Sequence, residues 1–356
     1  MNNYVPFLKF KANEVHAIST LSPEIKSIVF PFFDFAKKKG MTANTLSTTI
    51  EKAVTSASRH LKNLSGFYLD NFDLDDSIQI NGRDNYEFVI SSFDEIDFVP
   101  VVGLDRTNGR NQIVFDAKKN NKIISDTIAI RLQFEDFEDF ELIEDELGEL
   151  MAQGHNLFEN WTLVLDNREC FQVDAKTRAN HICRFLESVN DVFEFSKIII
   201  AGSSIPASIG NILDTKTELT HNRNEIQIYS EVINKVNSED LYFGDYTIVS
   251  PQFSDVDLIP EMMQTVTAPK VLYSYENVHY IVRGGTLKHH ARGLLQYNDI
   301  AVDLIKQTFF RGALYSYGDN FLVEKANFQG KNVMPGSILK PTINAHITYM
   351  VRDFSV

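Results

Sequence analysis

Nearly continuous apolar runs recur along the chain, separated by longer segments with helical periodicity. Runs without alternation of polar and apolar residues are typical of strands buried on both faces, as in a parallel sheet. The predicted strands are Tyr4–Phe10, Ile28–Asp34, Phe67–Asp70, Phe98–Asp105, Thr127–Gln133, Thr162–Asp166, Lys197–Gly202 and Leu241–Val249. The intervening patterns place apolar residues on one helical face. The clearest predicted helices are Thr42–Leu61, Asp174–Val189 (with Asp174 as N-cap) and Asn224–Val236.

Strand and helix alternate about eight times, which predicts an α/β fold and a (β/α)8 TIM-like barrel. A doubly wound open sheet is the main alternative, and we favour it less because no glycine-rich phosphate turn follows a strand. After the eighth strand, the pattern predicts a hairpin over Val271–Gly285, a helix over Leu294–Phe310 and a last strand over Ala345–Val351. We therefore predict a barrel over residues 1–252 and a C-terminal antiparallel hairpin and helix elaboration over residues 253–356. The elaboration is expected to pack on the barrel or to be continuous with it.

Composition indicates an acidic globular protein whose core is large enough to need no covalent cross-links. The chain has 356 residues and a net charge of −14, which argues against broad non-specific binding to nucleic acid. The acidic excess is concentrated in Phe134–Leu150, where a solvated helix face is favoured over mimicry of nucleic acid. The two cysteines form no CxxC pair, no signal peptide is visible and no apolar run is long enough to span a membrane. A cytoplasmic location is therefore expected.

Several short blocks occur in a recognisable order along the chain. They are YVPFLKFKANE at Tyr4–Glu14, KIIIAGSSIP at Lys197–Pro206, RNEIQIYSEV with LYFGDYTIVSP within Arg223–Pro251, YIVRGG at Tyr280–Gly285 and INAHIT at Ile343–Thr348. Together they resemble the phage beta-protein family, which occurs in tailed phages and bacterial genomes. The chain departs from the family at Thr247 and Ser250, where Gly and His are more common, and at Ala345 and His346, where paired histidines are common. The resemblance implies a phage or mobile-element setting and a role in phage–host conflict such as antiphage defence, but no reaction and no catalytic residues.

Charged and polar side chains occur at the C-terminal ends of the predicted strands, the face where functional groups gather in an eightfold barrel. The candidate ligand-binding residues there are Lys9, Lys11, Arg106, Arg131 and Ser203. Lysine and arginine at these positions are suited to phosphate or carboxylate. The candidate catalytic residues are Asp34, Asp105 and Asp166. These carboxylates are expected to act as a general base or to bind Mg²⁺ or Mn²⁺. Salt bridges that only cap the barrel are the alternative, and both interpretations stay open.

Two further candidates rest on single residues. Arg283 precedes Gly284 and Gly285, so it is a candidate for close approach to an anion. A turn with positive φ at one of these glycines is the favoured alternative. His346 is expected to be a core histidine inside the predicted last strand.

A carboxylate interrupts the eighth apolar run at Asp245, directly after Gly244. The glycine predicts a kink or a close approach of another backbone. Because the apolar run continues to Val249, Asp245 is expected near the beginning of its strand, away from the functional face. This placement favours a structural role, such as pairing with an arginine or capping backbone amides, over the alternative that Asp245 binds a ligand.

Two functions from different classes are consistent with these patterns. The first is a barrel protein that binds a phosphorylated small molecule or a nucleic-acid end at the C-terminal face, with metal-assisted hydrolysis left open. The second is a non-catalytic protein that captures a phage or host protein through an acidic surface. It rests on the charge of −14 and on the absence of standard catalytic motifs. Whether the protein is an enzyme stays open at this point.

Overall fold

The computed structural model describes residues 3–236, 238–252 and 267–355. Its strands are β1 (Tyr4–Lys9), β2 (Phe32–Asp34), β3 (Tyr68–Asp70), β4 (Gln79–Ile80), β5 (Arg83–Asp84), β6 (Val99–Val102), β7 (Thr127–Gln133), β8 (Asn160–Glu169), β9 (Lys197–Ser203), β10 (Thr217–Asn222), β11 (Leu241–Asp245), β12 (Lys270–Tyr275) and β13 (Val278–Arg283). Its α-helices are α1 (Ala12–Ser19), α2 (Pro23–Lys26), α3 (Ala43–His60), α4 (Asn85–Ser92), α5 (Asn108–Lys119), α6 (Phe134–Phe137), α7 (Glu144–Gly154), α8 (Ala175–Asn190), α9 (Asn224–Ile233), α10 (Gln296–Leu304), α11 (Tyr317–Ala326) and α12 (Leu339–Arg352).

Eight parallel strands close into a barrel in the order β1-β11-β9-β8-β7-β6-β3-β2, which confirms the predicted fold. The runs are continuously apolar because one face of each strand fills the barrel and the other packs against helices. The interior is filled by Val5, Phe7, Phe32, Tyr68, Val99, Val101, Ala129, Val164, Ile199, Ala201 and Tyr246. The barrel is therefore a packed core and not a pore, so any ligand site must lie at its ends.

An antiparallel sheet in the order β10-β13-β12 lies beside the barrel. The predicted hairpin is confirmed, with its turn at Glu276 and Asn277. β10 precedes the predicted boundary at residue 252 but pairs with β13, so this sheet combines segments from both sides of that boundary. The boundary itself adjoins residues 253–266, which lie outside the described residues.

The predicted last strand over Ala345–Val351 is wrong, because these residues belong to helix α12. Every residue from Pro341 to Val351 is buried, so α12 has no polar face that would reveal a helical period. A short apolar run rich in β-branched residues cannot be assigned to helix or strand by periodicity alone. His346 is therefore a buried helix residue, and α12 packs against α1 and β12.

The acidic segment Phe134–Leu150 is not one helix. It is divided into α6, a 3₁₀ turn at Phe140–Leu142 and α7. Its apolar positions Phe140, Ile143, Leu147 and Leu150 are nevertheless buried in the main core. Across the described ranges, no helix combines the length and apolar character that crossing a membrane requires.

Candidate functional site

The guanidinium of Arg131 lies in the mouth of the barrel, where three aspartates surround it. Its Nη1 donates to Asp70 Oδ2 at 2.7 Å and to Asp34 Oδ2 at 3.3 Å. Its Nη2 and Nε donate to Asp166 Oδ2 at 2.7 and 3.1 Å. Parallel pairing aligns Asp34 with Asp70 across β2 and β3, so the strand ends bring these carboxylates together. Because the Arg131 side chain is only 1% exposed, this network neutralises strand-end charges inside the protein.

The charges in this network hold one another ionised. Burial alone would raise the pKa of Asp34, but Lys9 and Arg131 outweigh it and hold that pKa below its ordinary value. Burial likewise opposes the low pKa of Asp166, which Arg131 and Arg168 maintain. Carboxylates with lowered pKa values are weak bases. These two aspartates are thus better suited to fixing Arg131 than to accepting a proton.

The aspartates face a guanidinium and not one another. In the portion of the chain that the structure describes, no group of three or more His, Cys, Asp or Glu side chains is placed to hold a metal ion. The position between Asp34, Asp70 and Asp166 is taken by Arg131. Binding of Mg²⁺ or Mn²⁺ by these strand-end aspartates stays a prediction.

Arg106 and Asp105 extend the network to the rim of the barrel. Arg106 Nη2 lies 2.8 Å from Asp70 Oδ1, and its Nε lies 3.6 Å from Asp105 Oδ1. Burial raises the pKa of Asp105 above its ordinary value. Asp105 differs in this respect from Asp34 and Asp166, because it lies outside the ring of aspartates around Arg131.

Lys9 connects the buried network to a cavity of about 260 Å³ beside the barrel mouth. Its Nζ donates to Asp34 Oδ2 at 2.9 Å and also binds Asp73. The cavity lies between the ends of β1, β9 and β11 on one side and β12 and α12 on the other. Its polar lining is Lys9, Lys11, Glu14, Ser250, Gln252, Lys270 and Thr342. Lys9, Lys11 and Lys270 thus line one small space at the C-terminal face of the barrel.

Glu14 is a cavity residue that the strand-end rule did not find. It lies in the first turn of α1, and burial raises its pKa although Lys11 and Lys9 oppose the shift. Burial also lowers the pKa of Lys11. Glu14 closes the first sequence block, YVPFLKFKANE, but it lies past the strand end and inside a helix. Its place in that block is therefore the signal that could have identified it.

Arg168 is a second residue that sequence reasoning missed. It lies in a β-bulge where the register between β8 and β9 shifts, and its φ of 52° is unusual for a residue other than glycine. Its backbone N–H donates to Asp166 Oδ1 at 2.9 Å. The bulge directs its side chain over the barrel mouth, where the guanidinium lies 4.7 Å from the centre of the Phe72 ring. No motif in the sequence indicates a bulge at this position.

Asp245 lies at the C-terminal end of β11, so its predicted place near the beginning of the strand is wrong. The strand ends there because the chain turns at Thr247, whose φ is 59°. The apolar run continues beyond the strand because Tyr246 and Ile248 fold inward and are buried. Gly244 does allow a close approach, since a Cβ there would lie 2.7 Å from the Phe7 ring. The approaching group is a side chain and not another backbone.

Asp245 is the centre of a second buried network, separate from that of Arg131. It binds Arg223, and it accepts hydrogen bonds from Tyr4 Oη at 2.9 Å and from the Thr247 N–H at 2.9 Å. His346 Nε2 lies 3.0 Å from Asp245 Oδ2. These are the contacts of a carboxylate that pairs with an arginine and caps a turn. They hold helix α12 to the end of β11.

Two buried histidines share one hydroxyl in this network. Ser274 Oγ lies 2.6 Å from His346 Nδ1 and 2.9 Å from His279 Nδ1, so its single O–H can donate to only one of the two rings. Burial lowers the pKa of His346, although Asp245 opposes the shift. Burial, together with Arg223 and His346, lowers the pKa of His279 well below its ordinary value.

The protein is expected to lose stability as the pH falls below about 6.5, the ordinary histidine pKa. The unfolded chain then binds protons that the buried rings of His279 and His346 do not, so the unfolded state is favoured. Each such ring contributes a loss of at most about 1.4 kcal/mol per pH unit. Urea unfolding between pH 7 and pH 5 measures this slope, which His279→Gln should reduce. The exposed His289 supplies the control His289→Gln, and an equal slope in both variants would contradict the expectation.

Ser203 and Arg283 lie outside the Arg131 network. Ser203 Oγ donates to the Val249 carbonyl at 3.1 Å and thereby shapes the loop that lines the cavity. Arg283 Nη1 donates to the Leu213 carbonyl at 2.5 Å. The expected positive φ at Gly284 or Gly285 is wrong. A Cβ at Gly284 would lie 2.7 Å from Gln296 Oε1, and one at Gly285 would lie 2.9 Å from the His290 ring, so both positions are crowded.

The family comparison covers both the barrel and the antiparallel sheet that completes the cavity. A family model described as Beta protein matches residues 4–352. No curated protein matches the chain. The match includes every residue of the Arg131 and Asp245 networks described above. It confirms the resemblance carried by the short sequence blocks. The chain therefore belongs to the Beta protein family.

Proposed function

We propose that this protein binds a phosphorylated small molecule in the cavity at the C-terminal face of its barrel. The observation that carries the proposal is the convergence of Lys9, Lys11 and Lys270 on one space of about 260 Å³. This volume is slightly below the range of typical ligand pockets, about 300–1,000 Å³, which favours a small ligand. Polar ligand sites of eightfold barrels lie at this face.

The electrostatics of the cavity favour an anion. Lys9 and Lys11 lie at the start of α1, and the N-terminus of a helix carries partial positive charge. The aspartates of the barrel mouth bind Arg131 and Arg106, and Glu14 is the carboxylate whose charge acts most strongly on Lys11. A phosphate group would accept charge-assisted hydrogen bonds from the lysines, which are roughly twice as strong as neutral ones.

Glu14 supports a chemical role for the cavity. Because burial raises its pKa, Glu14 is a stronger base than an ordinary glutamate. Metal-assisted hydrolysis stays a proposal, and Mg²⁺ or Mn²⁺ would then act together with the bound phosphate. The terminal phosphate of a nucleic acid offers the same chemistry as that of a small molecule. The two sources are separated by the ligands used below.

Replacing Lys11 with Gln is expected to weaken binding of inorganic pyrophosphate by at least about tenfold, since a hydrogen bond to a charged group contributes about 1.5–3 kcal/mol. Isothermal titration calorimetry measures the affinity. The matched control is Lys62→Gln, which removes the same charge from an exposed position after α3. Equal loss of affinity in both variants would contradict the proposed site. Titrations with glucose 6-phosphate and with a 5′-phosphorylated oligonucleotide, each with and without Mg²⁺ or Mn²⁺, identify the source of the phosphate.

A second candidate function, capture of a phage or host protein through an acidic surface, is favoured by a groove of about 1,320 Å³ at the opposite end of the barrel. Asp126, Glu159, Glu194 and Asp240 line this groove beside Val192, which is exposed. Its charge is suited to a basic segment of the partner. Replacing Lys11 would not affect capture of a protein through this groove, so the titrations above separate the two candidate functions. Membership of the Beta protein family supports a phage or mobile-element setting for either one.

A further inference from the structure

The carboxylate of Asp73 lies between two cationic side chains at the mouth of the barrel. It binds Lys9 Nζ through Oδ2, and its Oδ1 lies 3.5 Å from Arg168 Nη2. We propose that Lys9 and Arg168 form an oxyanion subsite for a phosphate group, and that Asp73 occupies it in this structure as an internal anion. This inference rests on the proposed function, because Lys9 also lines the cavity.

The ion pairs at the mouth show which carboxylate an incoming anion would replace. The cations of the network are Lys9, Arg106, Arg131 and Arg168. Asp34, Asp70 and Asp166 pair with the first three, and Asp105 lies 3.6 Å from Arg106 at the rim. Within the described residues, the ion pair of Arg168 is with Asp73. An unpaired buried cation is costly, so an anion that displaced Asp73 would take over its role.

The backbone conformation and the side-chain contacts of Arg168 suit it to binding an anion at this position. It adopts a left-handed backbone conformation, which costs free energy and is found preferentially at functional sites. Its guanidinium and that of Arg131 lie 4.7 and 4.4 Å from the centre of the Phe72 ring. Within the described residues, Arg168 Nη1 is buried and has no hydrogen-bond partner. Its Nη2 donates to the Pro251 carbonyl at 3.1 Å and lies 3.5 Å from Asp73, so Nη1 is the donor that a phosphate, with more oxygens, would use.

The loop that carries Asp73 is anchored on both sides of it. Asn71 is buried and hydrogen-bonded to Asn85, and Leu74 is buried in the main core. The Asp73 side chain itself is 14% exposed. A change of its rotamer would open the subsite without unfolding the loop. Asp73 is thus positioned to compete with an incoming anion while the rest of the loop stays in place.

The shared lysine narrows the ligand class. Lys9 lies between the cavity, which it lines with Lys11, and the subsite, which it forms with Arg168. A ligand with two adjacent phosphate groups would place one on each side of Lys9. A diphosphate therefore fits this arrangement better than a monophosphate, and inorganic pyrophosphate is the simplest probe.

The variant Asp73→Asn removes the carboxylate charge that competes with phosphate for the subsite. If Asp73 leaves the subsite vacant about one-tenth of the time, the variant is expected to bind pyrophosphate about tenfold more tightly than the unmodified protein. Asp76→Asn is the matched control, because it removes the same charge from the same loop at a residue paired with Arg110. Its affinity should stay unchanged. Arg168→Gln should weaken binding, and it should also cancel the gain produced by Asp73→Asn when the two are combined.

The titration outcomes separate the two proposals. If the unmodified protein binds pyrophosphate through Lys11 and Asp73→Asn binds it no more tightly, the subsite is refuted and the proposed function survives. If neither the unmodified protein nor Asp73→Asn binds pyrophosphate, the proposed function and the subsite both fail. Circular dichroism checks that each variant is folded. Asp73→Ser supplies a second test of the subsite should Asp73→Asn not fold.

Discussion

Replacing Arg131 with Met is expected to lower the free energy of unfolding by about 3–5 kcal/mol. The substitution leaves Asp34, Asp70 and Asp166 buried around an apolar side chain, with their charges no longer balanced. Removing one partner from a buried ion-pair network is strongly destabilising because the remaining charges cannot be solvated. Urea unfolding at pH 7 measures the difference. A loss this large is a substantial fraction of the total stability of an ordinary domain, so partial unfolding at low urea is expected too.

The control for this experiment is Arg83→Met. Arg83 and Glu87 form an exposed ion pair at 4.0 Å, with side chains that are 57% and 39% exposed. Exposed pairs contribute at most about 1 kcal/mol, so this variant should unfold almost like the unmodified protein. If Arg131→Met were as mild as Arg83→Met, the aspartates would have to be protonated or hydrated in the folded protein. The interpretation that the ion pairs around Arg131 stabilise the mouth of the barrel would then be wrong.

The second large effect is expected for Asp245→Asn, which should also cost about 3–5 kcal/mol. The variant leaves the buried guanidinium of Arg223 with Glu225 as its one carboxylate partner. It also weakens the contact with His346, through which α12 is held to the barrel. Urea unfolding followed by both circular dichroism and tryptophan fluorescence measures the loss. Trp161 lies at the start of β8 and reports on the barrel.

Asp299→Asn is the control for Asp245→Asn. Asp299 pairs with Arg292 at the surface, where both side chains are more than 40% exposed, so its loss should cost less than about 1 kcal/mol. Pyrophosphate affinity should stay unchanged in Asp245→Asn as long as the protein is folded, because Asp245 does not line the cavity. Loss of that affinity in the folded variant would contradict the separation of the two networks.

The Arg131 network changes how the charged residues at the strand ends are interpreted. Lys9, Asp34, Arg106, Arg131 and Asp166 meet at one face, as a barrel with these strand ends predicts. Most of them bind one another and are withdrawn from solvent. Of these five residues, Lys9 belongs to both the ion-pair network and the cavity. The proposed ligand site therefore lies beside the barrel axis and not on it, and it needs β12 and α12 to be complete.

The barrel could be predicted from the sequence because its signal is local. Runs such as Thr127–Gln133 and Lys197–Gly202 are apolar throughout since both faces of a barrel strand are buried, and no distant contact is needed to recognise them. The same signal failed at Ala345–Val351, because a helix buried on every side is equally apolar. It failed again at Asp245, where apolar residues that cap the barrel mouth extend the run past the strand.

The partners of the charged residues were decided only by the tertiary structure. Arg131 binds aspartates that lie 97, 61 and 35 positions away in the chain, and His346 lies 101 positions from Asp245. Whether a strand-end charge is neutralised or faces a cavity depends on distances of a few ångströms between such residues, since charge interactions inside a protein fall off with separation. Thus the sequence by itself determined the family, the barrel and the face on which charge gathers. Closure of that barrel determined that Arg131 is enclosed, and the packing of β12 and α12 beside it determined that Lys9, Lys11 and Glu14 line a cavity.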